Sequence, residues 1–128
     1  MYFQNDKTRK VIQYIKEKYQ QEPEFLWLKF PNNAVFRHED NQKWYAVLIN
    51  LPKRKLGIAE DGEVDILVLK CDPIIIGSLI DHDKYFPAYH MNKEHWITVI
   101  IDKINEKEIC GMIDLSYEIT ETGQTRRK

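Results

Sequence analysis

The period of the hydrophobic pattern changes early in the chain, and this change constrains the fold more than any other feature of the sequence. Before Pro23 the apolar residues recur at the three- and four-residue spacing of an α-helix. From Ala34 onward they fall in short runs rich in strand-forming residues, separated by polar turns. One helix followed by consecutive strands and further helices predicts a two-layer α+β fold, in which helices pack on one face of a largely antiparallel sheet.

Three helices are predicted from capping residues and apolar spacing. They cover residues 5–21, a short segment that begins at Asp72-Pro73, and a segment from Asn105 that is expected to end at Gly123. Each begins with an Asn or Asp side chain that can accept hydrogen bonds from the free amides of the first turn. Asn105, with Glu108 three residues later, resembles a capping box. The isoleucines of the short helix indicate that it is almost completely buried.

Five segments are predicted to be strands. They are Ala34–Arg37, Lys43–Leu51, Leu56–Ala59, Val64–Lys70 and Trp96–Asp102. The first two are expected to form a hairpin. The third and fourth are expected to form another, because the Asp61-Gly62 pair between them is a strong turn signal. The apolar run in the last segment indicates a central strand that is covered on both faces.

Length and composition predict one domain, residues 1–128, because 43% apolar residues are enough for a single core. The chain has no run of about 18 apolar residues that would predict a membrane span. Its first residues lack the apolar stretch of a secretory signal, so we expect a cytoplasmic protein. Cys71 and Cys110 lie inside apolar-patterned segments, which favours two buried thiols over a disulfide.

The charges are distributed unevenly along a chain whose net charge is −1. Residues 1–55 contain 11 Lys and Arg against 6 Asp and Glu, whereas residues 56–125 contain 5 against 14. The densest internal basic cluster is Lys53-Arg54-Lys55, on a predicted connecting loop. The low net charge argues against a strongly basic nucleic-acid binder, but the asymmetry is compatible with one basic face.

The motifs of the common enzyme and cofactor classes are absent from the sequence. It contains no glycine-rich phosphate loop, no GxSxG and no CxxC pair. His90 and His95 are five residues apart, a spacing that does not place two imidazoles on one helical face. Cys71 and Ser116 have no visible base beside them. We therefore expect a protein that is not an enzyme and that uses neither a metal nor a cofactor.

The segment Tyr85–Trp96, YFPAYHMNKEHW, combines four aromatic residues with two histidines, an asparagine and a lysine. Two interpretations are open. In the first, it is a packed corner in which Tyr85, Phe86 and Trp96 enter the core. In the second, it is a recognition surface that offers rings for stacking and donors for phosphate or carboxylate groups. The exposed candidates are Tyr89, His90, Asn92 and Lys93.

Several stretches of the sequence resemble the MmcQ/YjbR family of small bacterial proteins, and together they extend along nearly the whole chain. They are AVFRHEDNQKWYAVLI (34–49), KLG (55–57), VDILVLKCDP (64–73), PAYHMNKEHWITV (87–99) and IDLSYEIT (113–120). The YHMNKxHW core is the most specific. The resemblance implies an α+β domain, often compared with the frataxin-like and secretion-chaperone-like folds, in a family commonly labelled DNA-binding.

The resemblance and the basic cluster together predict a DNA-binding protein that contacts duplex phosphates through basic loops. No segment resembles the recognition helix of a helix-turn-helix protein, so we expect phosphate contacts rather than base readout. The expected contact residues are Arg37, His38, Lys53, Arg54, Lys55, Tyr89, His90, Asn92 and Lys93. The alternative is a module that binds a protein or a small ligand through the Tyr89–Trp96 surface.

Overall fold

Three α-helices and five β-strands lie within residues 3–121, the part of the 128-residue chain that the computed structural model describes. In chain order they are α1 (Asp6–Tyr19), β1 (Asn33–Arg37), β2 (Trp44–Pro52), β3 (Glu63–Lys70), α2 (Pro73–Leu79), β4 (Tyr85–Pro87), β5 (Trp96–Ile100) and α3 (Glu106–Thr120). The strands form one antiparallel sheet in the order β1-β2-β3-β5-β4. No helix in this part of the chain is long and apolar enough to cross a membrane.

The helices begin at the capping residues that the sequence indicates. Asn5 caps α1, Asp72 caps α2 and Asn105 caps α3, each by accepting a hydrogen bond from an amide of the first turn. The Glu108 carboxylate, however, accepts a hydrogen bond from the Tyr85 hydroxyl of β4. The capping box at α3 is therefore only half formed, and its acidic member instead connects the helix to the edge of the sheet.

Successive side chains along each strand point to opposite faces of the sheet and form two hydrophobic layers, one on each face. On one face, which we call the helix face, Leu48 of β2 belongs to the same cluster as Ile15 of α1 and Ile113 of α3. On the opposite face, which we call the loop face, loop side chains such as Trp27 and Ile58 cover the strands. The predicted two-layer α+β fold, with helices on one face of an antiparallel sheet, is confirmed.

The predicted strand Leu56–Ala59 is wrong. Residues Lys53–Leu56 form a 3₁₀ turn instead, and Gly57 ends this turn with a φ of 81°. The chain then returns through a bend, so that β2 pairs directly with β3. Pro52, the last residue of β2, has no amide hydrogen for the sheet, and the left-handed conformation of Gly57 turns the backbone away from an extended path.

The helix α2 is much less buried than its isoleucines indicate. In this helix of seven residues only Ile76 is buried, whereas Ile74 is 86% exposed and Ile75 is 43% exposed. A helix of two turns at the side of a sheet can present only one stripe to the core. The strand β4 was not predicted, because three residues are too few to show a period. The helix α3 is described as far as Thr120, and its expected end at Gly123 lies outside the described residues.

Buried polar side chains attach the helices to the sheet on the helix face. The Thr8 hydroxyl of α1 donates to the Asp65 carboxylate of β3 at 2.6 Å. The Ser116 hydroxyl of α3 donates to the Tyr45 carbonyl at 2.6 Å and accepts a hydrogen bond from the Lys70 amide at 2.9 Å. Such buried hydrogen bonds favour one arrangement of helix and strand, because a shifted helix would leave the polar groups unpaired.

Candidate binding groove

Arg37 and His38, two of the predicted DNA contacts, lie at the β1–β2 hairpin and are occupied by other interactions. The Arg37 guanidinium pairs with the Glu24 carboxylate through contacts of 2.9 and 3.0 Å. His38 is only 3% exposed, and its Nε2 atom lies 2.8 Å from the Thr120 hydroxyl. The prediction that His38 contacts phosphate is therefore corrected, because its side chain belongs to the protein interior.

The surroundings of His38 explain its role in the fold. Its ring lies beside Tyr45 and Tyr117, with centroids 5.0 and 4.3 Å away. Tyr117 of α3 also stacks on Tyr19 of α1 at 3.8 Å, so the hairpin and two helices meet in one aromatic cluster. Burial lowers the pKa of His38 from its usual value near 6.5, because the charged imidazolium loses its hydration. This end of the sheet is a packed corner.

The three cations of the 3₁₀ turn differ in availability. The Lys53 ammonium pairs with Glu60 at 3.2 Å, and the Arg54 guanidinium pairs with Asp61 at 2.9 Å. Lys55 is exposed and forms no ion pair with any residue between 3 and 121. The basic cluster that the sequence shows therefore leaves one ammonium group without a neighbouring carboxylate.

The predicted cations are spread along the length of the sheet. Arg37 pairs across the sheet with Trp44, the first residue of β2, whereas Lys53 follows Pro52, the last residue of that strand. The nine residues of β2 separate these positions by about 26 Å. The carboxylates paired with Lys53 and Arg54 interrupt the positive charge further. A continuous basic surface for a DNA duplex is not formed by this set of residues.

Hydrogen bonds hold the loop between β4 and β5 against the sheet. The Tyr89 amide donates to the Thr98 hydroxyl of β5 at 2.9 Å, and the Lys93 ammonium donates to the Ala88 carbonyl at 3.0 Å. The Asn92 side chain accepts a hydrogen bond from the amide two residues later at 2.8 Å. Asn92 thus stabilises the loop itself, while Lys93 is placed at the surface with one of its donors already occupied.

The Tyr85–Trp96 segment divides between core and surface, and recognition by its exposed residues stays a prediction. Tyr85, Phe86 and Trp96 are 4%, 4% and 7% exposed, which confirms the packed corner for these three rings. His90 is exposed on the loop that follows. The segment therefore anchors three aromatic side chains in the core and presents its polar residues to solvent.

Two histidines beside this loop have a left-handed backbone. The φ angles are 57° at His82, just before β4, and 59° at His90. Side chains other than glycine seldom adopt this conformation, which costs about 1–2 kcal/mol and is found often at functional sites. The His90 ring stacks on the Tyr89 ring, with centroids 4.0 Å apart and planes 10° apart.

A small cavity of about 310 Å³ on the loop face brings four of the nine predicted contact residues together. These four are Lys55, Tyr89, His90 and Lys93. His82 completes the polar lining, and apolar side chains form the rest. The sequence did not predict His82, because it lies 27 positions after Lys55 in an ordinary polar turn and only the fold brings the two together.

A larger cavity of about 550 Å³ adjoins the small one and shares Leu56, His82 and Phe86 with it. The apolar part of its lining includes Val64 and Ile100 of the sheet. Its rim carries two ion pairs, Lys53 with Glu60 and Lys103 with Asp83, and two further carboxylates, Glu63 and Asp102. We call the two cavities together the groove, the small cavity its basic end, and the side with Glu63 and Asp102 its acidic end.

The thiols do not form a reactive site with their neighbours. Cys71 and Cys110 are free and half-buried, which confirms the prediction of two thiols without a disulfide. Burial raises the pKa of both, so the reactive thiolate form is disfavoured. Among residues 3–121, no three His, Cys, Asp or Glu side chains are arranged to hold a metal ion.

The fold and the groove define a small α+β protein whose antiparallel sheet carries helices on one face and a loop-lined groove on the other. The chain belongs to the YjbR family, whose model matches residues 16–119. This match confirms the family resemblance drawn from the sequence, and it includes the whole sheet and both sides of the groove.

Known relatives agree with this assignment. The chain is 41% identical over 111 residues to the uncharacterized protein YyaQ of Bacillus subtilis (strain 168), covering 86% of this chain and 94% of YyaQ. A crystal structure of a Pseudomonas syringae protein is 46% identical, covers 88% of this chain and 97% of its own, and superimposes with a TM-score of 0.85. The Deinococcus radiodurans protein DR2400 shares the fold at 23% identity and a TM-score of 0.67, over 93% of this chain and 82% of its own.

Proposed function

We propose that this protein is a non-enzymatic binding module that takes a small anionic ligand at the basic end of the groove. The observation that carries the proposal is the convergence of Lys55 and Lys93 on a cavity that contains no carboxylate in its lining. Two ammonium groups around one concave surface attract a carboxylate or phosphate, since each can donate a charge-assisted hydrogen bond.

The shape of the site favours a small ligand. The volume of about 310 Å³ lies at the lower end of the range of about 300–1,000 Å³ that is typical of ligand pockets. The stacked pair of Tyr89 and His90 offers a planar surface against which a flat group can pack. The preset position of Lys93, held by the Ala88 carbonyl, reduces the conformational entropy lost on binding.

Duplex DNA is the second candidate, because Lys55 and Lys93 border the same exposed cavity and both can contact phosphate. It is less well supported. Non-specific duplex binding depends on several phosphate contacts along a basic face, whereas Arg37, Lys53 and Arg54 are each paired with a carboxylate. A duplex would also approach these carboxylates within the Debye length of about 8 Å.

The test is an NMR titration of the ¹⁵N-labelled protein at 50 mM salt with benzoate, inorganic phosphate and a short DNA duplex in separate experiments. We expect benzoate or phosphate to shift the amide signals of residues 53–57 and 82–93. Lys55→Met should weaken this binding at least about fivefold, which corresponds to about 1 kcal/mol. Lys107→Met, which removes an exposed lysine of α3 that lines neither cavity of the groove, is the matched control.

Two outcomes would contradict the proposal. Saturable binding of the duplex, with neither small anion binding, would establish DNA as the ligand. If the anions bind and Lys55→Met and Lys107→Met weaken binding equally, the effect is one of total charge, and the basic end of the groove is not the site.

A further inference from the structure

The two ends of the groove carry opposite unpaired charges. At the basic end, the ammonium groups of Lys55 and Lys93 have no carboxylate partner among residues 3–121. At the other end, within the same part of the chain, Glu63 and Asp102 take part in no ion pair, and Asp102 accepts a hydrogen bond from the neutral Asn5 side chain at 2.8 Å. The remaining charges on the rim neutralise each other in the pairs Lys53–Glu60 and Lys103–Asp83.

The middle of the groove is apolar. Phe86 and Ile100, which are 4% and 1% exposed, belong to the core of the loop face, and Val64 lies beside them at 8%. Half-buried Leu56 and Ile58 complete this lining from the side of the turn. An apolar surface of this kind favours aliphatic or aromatic groups of a ligand over charged ones.

The length of the groove follows from the register of the sheet. Its basic end is next to Pro87, which pairs with Ile97, and its acidic end is next to Asp102, in the 3₁₀ turn after β5. Three extended residues and two 3₁₀ residues span roughly 14 Å. A fully extended peptide covers about 3.3–3.6 Å per residue, so this distance corresponds to about four residues.

From this arrangement we infer that the ligand of the groove is a short extended peptide segment with opposite charges at its two ends. Its free carboxyl terminus binds Lys55 and Lys93, two or three apolar residues lie along Leu56 and Ile58, and an ammonium or guanidinium group meets Glu63 and Asp102. This inference rests on the proposed anion site and adds the chemical class, length and direction of its ligand.

The acidic end has further acceptors for a basic side chain. A third cavity, of about 340 Å³, adjoins it and shares Glu63, Val64 and Asp102 with the larger cavity. Its polar lining also contains the amide side chains of Asn32 and Asn50, which offer carbonyl oxygens. A fatty acid would instead place an alkyl tail against unpaired carboxylates, and a polyanion would be repelled by them.

The experiment compares three tetrapeptides by NMR titration of the full chain at 50 mM salt. All three have an acetylated amino terminus: the first is Lys-Leu-Val-Phe with a free carboxyl terminus, the second is the same peptide with a carboxamide terminus, and the third is Glu-Leu-Val-Phe with a free carboxyl terminus. We expect the first to bind at least about tenfold more tightly than either of the others, because each of these loses one charge contact, worth about 1.4 kcal/mol at this ratio. Decanoate and benzoate serve as ligands without a cationic group.

Variants separate the inference from the function on which it rests. Glu63→Gln, at an exposed carboxylate, should reduce the preference for the lysine peptide over the glutamate peptide to less than about threefold while leaving benzoate binding unchanged. Lys55→Met should weaken both peptide and benzoate binding. If the two free-acid peptides bind equally while benzoate still binds, the peptide inference is overturned and the anion site stands.

The other outcomes are equally decisive. Tighter binding of decanoate than of the lysine peptide overturns the inference in favour of an amphiphilic acid. Failure of every peptide and of benzoate to bind removes the anion site together with the inference. A tenfold preference for the lysine peptide that disappears in Glu63→Gln supports both the class and the direction of the ligand.

Discussion

The two faces of the sheet differ in how closely they are covered, although the same strands build both. On the helix face, hydrogen bonds between buried groups join α1 and α3 to the strands, as in Thr8 with Asp65 and in Ser116 with the Tyr45 carbonyl. On the loop face, a cavity of about 550 Å³ lies beside the 3₁₀ turn, and a cavity of about 310 Å³ lies between that turn and the β4–β5 loop. One face is closed by packing, and the other remains open above an apolar floor.

The difference predicts that stability and the proposed binding depend on different faces of the sheet. Residues that order the helix face have most of their polar atoms occupied by other parts of the chain, and among residues 3–121 the buried exception is the Tyr45 hydroxyl. The groove, by contrast, contains unpaired charges and two histidines in left-handed conformation, which are features more typical of binding sites than of cores. Substitutions on the two faces should therefore have separable effects on folding and on binding.

The largest expected effect comes from removing a side chain of the helix face. Leu48→Ala should lower the free energy of unfolding by about 2–5 kcal/mol, because Leu48 is 0% exposed and its removal leaves a cavity. Ile58→Ala is the matched change on the loop face, where the side chain is only half-buried, and we expect a loss below about 1.5 kcal/mol. Urea denaturation measures both. Equal losses would show that the loop face is packed as tightly as the helix face.

The next largest loss of stability is expected when the buried hydroxyl of Ser116 is removed. Ser116→Ala should cost about 1–3 kcal/mol, since it removes the acceptor of the Lys70 amide and the donor to the Tyr45 carbonyl within a closed interface. Ser78→Ala is the control, because Ser78 lies on the exposed side of α2 and donates only to a carbonyl of its own helix. We expect that control to change stability by less than about 0.5 kcal/mol in the same denaturation assay.

The sequence predicts local interactions better than long-range ones, on both faces of the sheet. The caps Asn5, Asp72 and Asn105 act within one helical turn, and the predictions for them were correct. The side chain of His38 is buried by α3, whose Thr120 is 82 positions away, and its turn reads locally as an exposed one. Lys55 meets its neighbours of the groove in the same way, through the fold alone.

His38 should make the stability of the helix face depend on pH. Because burial holds its folded pKa below the unfolded value near 6.5, the contribution of neutral His38 is complete above about pH 6.5 and is lost as the pH falls through the folded pKa. The unfolding free energy should therefore decrease below pH 6.5, by at most about 1.4 kcal/mol per pH unit. His38→Phe should remove this slope, whereas Thr120→Val, which keeps the imidazole, should retain it. An unchanged slope in His38→Phe would assign the pH dependence to other groups.

A substitution at Tyr45 should change the free energy of unfolding by a smaller amount, and should increase it. Its hydroxyl is the buried side-chain polar atom of the described residues that has no hydrogen-bond partner, and burial raises the pKa of this phenol. Tyr45→Phe keeps the ring contacts with His38 and Tyr117 and removes the unpaired group. We expect a gain of up to about 1 kcal/mol in the unfolding free energy. A loss larger than this would mean that the hydroxyl has a partner in solution.

The smallest effect on stability is expected on the loop face, from its cations. The double change Lys53→Ala with Arg54→Ala breaks two exposed ion pairs, and such pairs contribute about 0–1 kcal/mol. Lys55→Ala, which breaks none, should leave the unfolding midpoint unchanged in the same urea titration. Anion binding should respond in the reverse order: strongly to Lys55→Ala, because its charge is unpaired, and weakly to the double change, because Glu60 and Asp61 already neutralise the two cations. If the double variant loses more anion affinity than Lys55→Ala, the paired cations contribute to binding. The ion pairs of the turn would then serve both stability and binding, and the two roles would not be separated between the faces of the sheet.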